Sequence, residues 1–267
     1  TCALPISSAG NVYNFLAKMP LLNARYKSTL AYLSSLREVA IEDVARRSKL
    51  VQIPLRIEPA FLALGAFHVA AGMNNKVYYH RIVADKSEQL VSEQEYVGVV
   101  TDVRMNDQYA AVLVDGKVVV HLIESSRNQA AAQQTKILPE RGEGLYATVQ
   151  CIAMTDQFLY YATAAGTFEV YFLADGALLS GIELRLTNPA SQLYPNIQAN
   201  NSSKRSSVTS GTRVLLVDDS GECFLVNPAA GEITSVPQPP SPVKIVLWDL
   251  EEKAVFSMFD GENLHTY

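Results

Sequence analysis

Residues 109–123 read YAAVLVDGKVVVHLI, two apolar runs on either side of Asp115-Gly116. Each run has the length and branched-residue content of a β-strand. The two-residue Asp-Gly link is typical of a tight hairpin, because both turn positions need a positive φ. The apolar residues do not alternate with polar ones, which indicates burial on both faces. The stretch therefore predicts two central strands of a small antiparallel sheet that is stacked between two others.

A similar pattern, a turn residue and then a run rich in Val, Phe and Tyr, returns along the whole chain. Successive copies lie 40, 41, 50, 54 and 41 residues apart when one residue of each copy is used as a marker. The markers are Val39, Tyr79, Val120, Val170, Phe224 and His265. Repeats of about 40–45 residues, each holding several short strands, are typical of propeller blades. We therefore predict an all-β fold, a WD40-like β-propeller with four antiparallel strands per blade.

Six units are visible, and the sequence predicts that the first and the last are incomplete. The first is predicted to have three strands, at 30–33, 36–41 and 49–55, with no partner on the N-terminal side. The last is cut off after a strand at 263–267. We expect a closed ring of seven blades, with the missing part beyond Tyr267.

In the fifth unit, the sequence assigns two middle strands and one outer strand, at 213–217, 222–226 and 233–236. A Ser-rich segment at 198–211 is expected to be mobile, because it has almost no apolar residues. The Pro-rich segment at 237–242 is expected to be a stiff connection between two blades.

Composition and charge exclude several classes of function. The chain has 267 residues, a net charge of −5 and 48% hydrophobic residues. A mildly acidic chain without a long basic stripe argues against nucleic acid as the main partner. No apolar run reaches the roughly 18 residues of a membrane-spanning helix, so no transmembrane segment is expected.

The three cysteines, Cys2, Cys151 and Cys223, are too few and too scattered for a disulfide framework or a zinc site. Cys151 and Cys223 lie within apolar strand patterns. We expect them to be small core residues of a protein in a reducing compartment.

The sequence offers no catalytic, cofactor-binding or metal site. The four histidines are assigned to separate blades, as strand-edge or loop residues, whereas a metal site needs ligands that converge; they are His68, His80, His121 and His265. Gly142-Glu143-Gly144 is interpreted as a turn and not as a phosphate cradle, because no helix is predicted after it. We therefore expect a protein that is not an enzyme and that holds no cofactor.

Three further motifs are assigned to turns. Met73-Asn74-Asn75 is interpreted as a hairpin in preference to a partner-binding loop, because Asn tolerates left-handed geometry. Asp218-Asp219 and Glu251-Glu252 are paired carboxylates, which acid–base chemistry would require to face one cleft. We interpret them as exposed turn charges.

Several motifs occur in the order found in one known family. They are AYLSSLREV at 31–39, EPAFLALG at 58–65, HVAAGMNN at 68–75 and HLIES at 121–125. On these motifs the chain resembles the intraflagellar transport protein 144 homologs, which are WD-repeat subunits of intraflagellar transport complex A. The resemblance runs from about Asn11 to Tyr267.

The resemblance implies a placement within a longer protein, because members of this family carry two tandem propellers followed by helical repeats. Residues 1–29 would be the end of a preceding propeller and a linker. Residues 30–267 would be the second propeller, truncated at its C-terminal end. Residues 3–6 match the translation of a common sequencing adapter, so the first seven residues are expected to be non-native.

The resemblance also implies a function. It implies a non-catalytic scaffold in retrograde ciliary transport and in the ciliary import of membrane receptors. The implied location is cytoplasmic and cytoskeletal, at the cilium and the ciliary base. The implied partners are the other subunits of complex A, a tubby-like adaptor and receptor cargo.

One departure from the WD-repeat pattern concerns Trp248, which is the single Trp of the chain. Trp248-Asp249 falls on the wrong strand for the usual Trp-Asp position. The His–Ser/Thr–Asp–Trp hydrogen-bond network is therefore expected to be absent, and the blades are expected to rely on apolar packing.

Two alternatives remain open from the sequence. A vesicle-coat propeller of the coatomer class shares the plan of tandem propellers followed by helices. A propeller enzyme would use the central channel, and it would need polar residues that converge at the channel mouth. The predicted innermost strands begin mostly with apolar residues, which disfavours the enzyme.

Overall fold

The computed structural model describes residues 2–8, 11–17, 20–83, 90–124, 135–179, 184–197, 213–228, 230–249, 251–252 and 255–267. Within these ranges the chain forms strands and a single turn of 3-10 helix. All strand pairs are antiparallel, and neighbours in a sheet are almost always neighbours in sequence. No helix among these residues is long and apolar enough to cross a membrane.

The strands form one separate hairpin and six sheets. The hairpin consists of β1 (Cys2–Ser8) and β2 (Asn11–Ala17). The first sheet is β3 (Asn23–Tyr26), β4 (Thr29–Ser35), β5 (Glu38–Asp43) and β6 (Ser48–Pro54). The second is β7 (Phe61–Leu64), β8 (His68–Met73), β9 (Lys76–Arg81) and β10 (Leu90–Glu95). The third is β11 (Val100–Met105), β12 (Tyr109–Val114), β13 (Lys117–Leu122) and β14 (Lys136–Leu138).

The remaining three sheets differ in their outer strands. The fourth is β15 (Val149–Met154), β16 (Phe158–Thr163) and β17 (Thr167–Phe172), with β18 (Ala177–Leu178) and β19 (Leu184–Arg185) both paired to β17. The fifth is β20 (Ala190–Pro195), β21 (Val214–Asp218), β22 (Cys223–Asn227) and β23 (Glu232–Val236). The sixth is β24 (Ile245–Trp248), β25 (Phe256–Phe259) and β26 (Leu264–Thr266). This arrangement confirms the predicted all-β propeller of antiparallel sheets, and six blades are present among the described residues. The seventh blade that the sequence analysis expected beyond Tyr267 stays a prediction.

Two innermost strands differ from the prediction. The first sheet has four strands and not three, because β3 pairs with β4 and places Asn23 opposite Tyr32. The sequence analysis also assigned no strand to Ala190–Pro195, which is β20. Both strands carry exposed or half-buried polar residues and lack a continuous apolar run. The apolar run that predicted the other strands is therefore missing from these two strands.

The hydrophobic core is divided into layers between consecutive sheets. Each of the five clusters of buried residues joins two neighbouring sheets. Ile41 and Val69, both fully buried, pack together between the first and second sheets. Burying one such side chain contributes roughly 1.5–3 kcal/mol. Cys151 and Cys223 are buried in these layers as free thiols, which confirms their prediction as core residues.

The predicted hairpins are present. Asp115 and Gly116 have φ values of 45° and 75°, as the two-residue turn requires. Asn74 has a φ of 56° in the turn between β8 and β9, which confirms the hairpin at Met73-Asn74-Asn75. The Pro-rich connection at 237–242 lies between β23 and β24, as predicted. The Ser-rich segment at 198–211 lies outside the described residues.

Candidate functional site

One end of the propeller, which we call the loop face, is formed by two kinds of segment. These are the hairpins between second and third strands and the loops that lead into the next sheet. Backbone hydrogen bonds join them: Val100 N donates to Asn74 O at 2.9 Å, and Val149 N donates to Gly116 O at 2.8 Å. The hairpin of one sheet therefore holds the entry to the first strand of the next sheet.

The loop face carries large apolar side chains that are open to solvent, which we call the apolar patch. Their exposed fractions are 43% for Met73, 101% for Val97, 57% for Val99, 62% for Leu145 and 56% for Tyr146. They lie on the second sheet's hairpin and on the loops before the third and fourth sheets. Several exposed apolar residues on adjoining loops are typical of a surface that another protein covers.

At Gly98, the backbone of the loop that carries Val97 and Val99 comes very close to the third sheet. The φ of Gly98 is 127°, and a Cβ at this position would lie 2.1 Å from Asp115 Oδ2. The Asp115 carboxylate also accepts a hydrogen bond from Val99 N at 3.3 Å. The backbone of this loop is therefore held against Asp115 at Gly98 and at Val99, and the loop exposes the two valine side chains.

A cavity of about 400 Å³ lies on the propeller axis. Residues of all six innermost strands, β3, β7, β11, β15, β20 and β24, line it. Most of the lining is apolar, but Arg25, Lys27, Asp102 and Arg104 also contribute. The enzyme alternative requires polar groups that converge in this cavity. The charged groups that the lining offers are these four side chains.

A hydrogen bond joins two sheets next to this cavity. Tyr26 Oη donates to Asp156 Oδ1 at 2.9 Å, between the first and fourth sheets. Asn106 Nδ2 donates to the carbonyl oxygens of Thr155 and Asp156 at 3.3 and 3.2 Å. Burial, and then the Asp156 carboxylate, raise the pKa of Tyr26, so its hydroxyl stays protonated and acts as the donor. These residues follow the C-terminal ends of the innermost strands, at the end opposite the loop face.

The predicted placement of the histidines is wrong for two of them. His68 and His80 lie on adjacent strands of one sheet, β8 and β9, and both are buried. They were expected in separate blades as edge or loop residues. The error follows from the short hairpin, since twelve residues are enough to bring a second strand beside the first.

His68 belongs to a link between the second and third sheets. Its Nε2 lies 2.6 Å from Glu124 Oε1, and Arg81 Nε donates to the same oxygen at 2.9 Å. Arg81 Nη2 also contacts Glu124 Oε2, and the bidentate contact lowers the pKa of the Glu124 carboxyl. The arrangement ties the two sheets together at the edge of a second cavity of about 660 Å³.

His121 belongs to a buried polar cluster between the same two sheets. Its Nδ1 lies 2.8 Å from Leu122 O and must donate there, because a carbonyl oxygen only accepts. Its Nε2 therefore accepts from Tyr96 Oη at 2.6 Å, and Tyr96 Oη accepts from Tyr79 Oη at 2.8 Å. Burial lowers the pKa of His121 and raises that of Tyr96 to about 12. The cluster is therefore neutral and joins two sheets.

Asp218 does not have the exposed position that the sequence predicted. It is 3% exposed, and its Oδ1 accepts hydrogen bonds from Ser220 N at 2.9 Å and from Glu222 N at 2.8 Å. Its Oδ2 accepts from Asn188 Nδ2 at 3.0 Å, in the loop before β20. Burial alone would raise its pKa, but these hydrogen bonds outweigh burial and lower it.

The Asp218 contacts link a hairpin to the preceding loop, in addition to the predicted apolar packing between the sheets. Glu251 and Glu252 are exposed, as predicted.

Gly142-Glu143-Gly144 is followed by one turn of 3-10 helix, Gly144–Ala147, which was not predicted. Trp248 ends the innermost strand β24, and its Nε1 donates to Tyr194 O at 2.9 Å.

No group of three or more His, Cys, Asp or Glu side chains in the described part of the chain is arranged to hold a metal ion. The sequence analysis missed the charged cavity residues Arg25 and Arg104 and the exposed residues Val97 and Val99. Arg25 lies on the unassigned strand β3. Val97 and Val99 lie in an apolar stretch that is typical of a strand, and Gly98 between them was the available sign of a loop.

Comparison with known proteins gives one family. The family model of the WDR19 second beta-propeller matches residues 30–267. The human and mouse proteins named WD repeat-containing protein 19 are each 27% identical to this chain over 261 residues, or 97% of it. WD repeat-containing protein dyf-2 of Caenorhabditis elegans is 23% identical over 286 residues, or 98% of the chain. The chain spans 18% of the length of the human and mouse proteins.

Solved structures share the fold. Hsv2 of Kluyveromyces marxianus superimposes with a TM-score of 0.68 at 15% identity, covering 94% of this chain and 72% of that one. Hsv2 of Kluyveromyces lactis gives a TM-score of 0.64 at 11% identity, covering 90% and 70%. At these identities the likeness extends to the propeller architecture.

Proposed function

The chain belongs to the WDR19 second beta-propeller family, and from this premise we propose that it is a non-catalytic scaffold propeller of intraflagellar transport complex A. The apolar patch on the loop face is the observation that carries the proposal. Its five side chains stand on loops that backbone hydrogen bonds hold in place, so binding a partner needs little ordering of the chain.

The partners and the pathway follow from the same premise. The proposed partners are other subunits of complex A, with a tubby-like adaptor and membrane-receptor cargo reached through the assembly. The proposed role is retrograde transport in the cilium and import of receptors, with the protein located at the cilium and its base. The resemblance of the motifs to the intraflagellar transport protein 144 homologs supports this role.

The domain placement is proposed on the same grounds. Residues 1–29 would be the end of a preceding propeller and a linker, and residues 30–267 the second propeller. Because β3 pairs with β4, we include Asn23–Tyr26 in the propeller unit.

The test uses the full-length protein carrying both Val97→Asp and Leu145→Asp. These two side chains are exposed, so a carboxylate at either position leaves the core intact, but it would be buried unpaired beneath a partner. We expect co-purification of other complex A subunits from ciliated cells to fall at least about tenfold.

Val44→Asp is the matched control, since Val44 is 56% exposed on the hairpin between β5 and β6, away from the loop face. This variant should retain its partners. The proposal is overturned if the double variant co-purifies with complex A subunits as well as the wild-type protein does.

A further inference from the structure

The central cavity is positively charged in a chain that is acidic overall. Arg25, Lys27 and Arg104 line it against the single carboxylate of Asp102, whereas the whole chain has a net charge of −5. Arg104 Nε binds Asp102 Oδ2 at 3.0 Å, and Lys27 Nζ lies 3.9 Å from Asp156 Oδ2. These pairs leave the charge of Arg25 without a carboxylate partner among the described side chains.

Within the described residues, the Arg25 guanidinium makes one hydrogen bond, from Nε to Lys27 O at 2.8 Å. Its side chain is open to the cavity, and burial by the surrounding strands lowers its pKa without an opposing acidic group. Half of the Arg104 side chain is exposed as well. Both guanidiniums therefore have N–H donors available to an anion within the cavity.

The position of the two arginines defines a direction of entry. Arg25 precedes Tyr26, whose hydrogen bond to Asp156 joins the first and fourth sheets at the end of the innermost strands opposite the loop face. Asn23 and Ile245, at the starts of β3 and β24, line the cavity towards the loop face, and both are exposed. Arg25 and Arg104 lie near the ends of β3 and β11, so a ligand that enters from the loop face would meet the starts of the innermost strands first and the two guanidiniums deeper in the cavity.

We propose that the cavity receives a carboxylate-bearing segment of a partner polypeptide, with the carboxylate held by Arg25 and Arg104. Guanidinium groups bind carboxylates through charge-assisted hydrogen bonds. Most of the residues that line the cavity are apolar, and such a lining suits the aliphatic part of an acidic side chain better than a fully hydrated phosphate. This proposal rests on the proposed docking function, because the partner that covers the loop face supplies the segment.

The cavity volume agrees with this occupant. A cavity of about 400 Å³ lies in the range of about 300–1,000 Å³ that small-ligand sites occupy. It can hold a few residues of an extended chain. An inserted acidic segment would neutralise the excess positive charge and fix the partner on the propeller axis.

The test measures binding of a fluorescein-labelled octaglutamate peptide to the full-length protein at low ionic strength. The cavity variant carries Arg25→Gln and Arg104→Gln. The control carries Arg47→Gln and Lys49→Gln, two exposed residues near the β5–β6 hairpin, and changes the net charge by the same amount. We expect the cavity variant to bind the peptide at least about tenfold more weakly and the control to bind it as the wild type does.

Equal binding by the cavity variant and the wild type overturns the proposal, as does the lack of saturable binding by the wild type. Inorganic tripolyphosphate is the second probe. If it binds with the same arginine dependence while the peptide does not, the occupant is a free anion and the polypeptide segment is wrong. The Val97→Asp, Leu145→Asp protein keeps both arginines, so peptide binding by it can persist even where the docking function fails.

Discussion

Tyr26 Oη and Asp156 Oδ1 are 2.9 Å apart although 130 positions separate the two residues in the sequence. Tyr26 ends the innermost strand of the first sheet, and Asp156 lies in the turn after the innermost strand of the fourth. Their hydrogen bond crosses the propeller axis. It therefore joins two sheets that are not neighbours, beside the central cavity that Tyr26 lines.

Tyr26→Phe removes this bond and leaves the ring in place. A hydrogen bond to a charged group contributes about 1.5–3 kcal/mol, but the Asp156 side chain is 37% exposed and water can replace the donor. We expect the free energy of unfolding to fall by about 1 kcal/mol in a urea titration. Tyr146→Phe, at an exposed tyrosine, should leave it unchanged, and equal effects from the two variants would contradict the role of the bond.

Asp218→Ala and Asp219→Ala form a matched pair of neighbouring substitutions. Asp218 is buried and accepts hydrogen bonds from Ser220, Glu222 and Asn188, whereas Asp219 is exposed. Removing the Asp218 carboxylate leaves partly buried donors without this acceptor, so we expect a loss of stability of about 2 kcal/mol. Asp219→Ala should change stability by less than about 0.5 kcal/mol. Thermal unfolding of both variants measures the two losses of stability, and equal losses would contradict the role of the Asp218 hydrogen bonds.

Stability should fall on mild acidification because of His80. Burial lowers the pKa of this histidine to about 4 in the folded protein, whereas its unfolded value is about 6.5. Between these two values the unfolded state binds more protons, so stability is full above pH 6.5 and is lost as the pH falls towards 4. The expected loss is about 3 kcal/mol.

Urea midpoints measured across this pH range test the His80 prediction. His80→Leu should make the dependence shallower, with the remaining slope due in part to His121, whose pKa burial also lowers. An unchanged slope in His80→Leu would show that His80 does not titrate between these limits.

Gly98→Ala tests whether the loop geometry presents the apolar patch. The substitution combines a φ of 127° with a Cβ that collides with the Asp115 carboxylate and crowds Val114, so the Asp115 side chain or the loop must move. We expect a loss of stability of about 2 kcal/mol together with weaker co-purification of complex A subunits. Val97→Ala in the same loop should leave stability unchanged, which separates the backbone effect from the loss of a side chain.

The sequence was enough to predict the propeller, because most strands are apolar on both faces and their hairpins carry Gly or Asn. It was not enough for β3 and β20. These strands line a water-accessible cavity, so Arg25 and Tyr194 stand where a buried strand would have apolar residues. Their assignment depends on pairing with β4 and β21, which local periodicity does not reveal.

Contacts between sheets could also not be predicted from local sequence patterns. Tyr79, Tyr96 and His121 meet because two sheets stack, and their positions in sequence are 17 and 25 residues apart. Asp218 resembles an ordinary turn residue in the sequence, and its burial depends on Asn188, which lies 30 residues earlier. Similarly, Val97 and Val99 continue an apolar run, and only the positive φ of Gly98 turns that run into an exposed loop.

Amide hydrogen–deuterium exchange of the full-length protein, alone and within assembled complex A, tests the docking function most directly. We predict that assembly slows exchange at residues 96–99 and 143–147, which carry the apolar patch, and leaves the hairpin at 44–47 unchanged. Slower exchange at 44–47, with no change at 96–99 and 143–147, would contradict the assignment of the loop face as the docking surface.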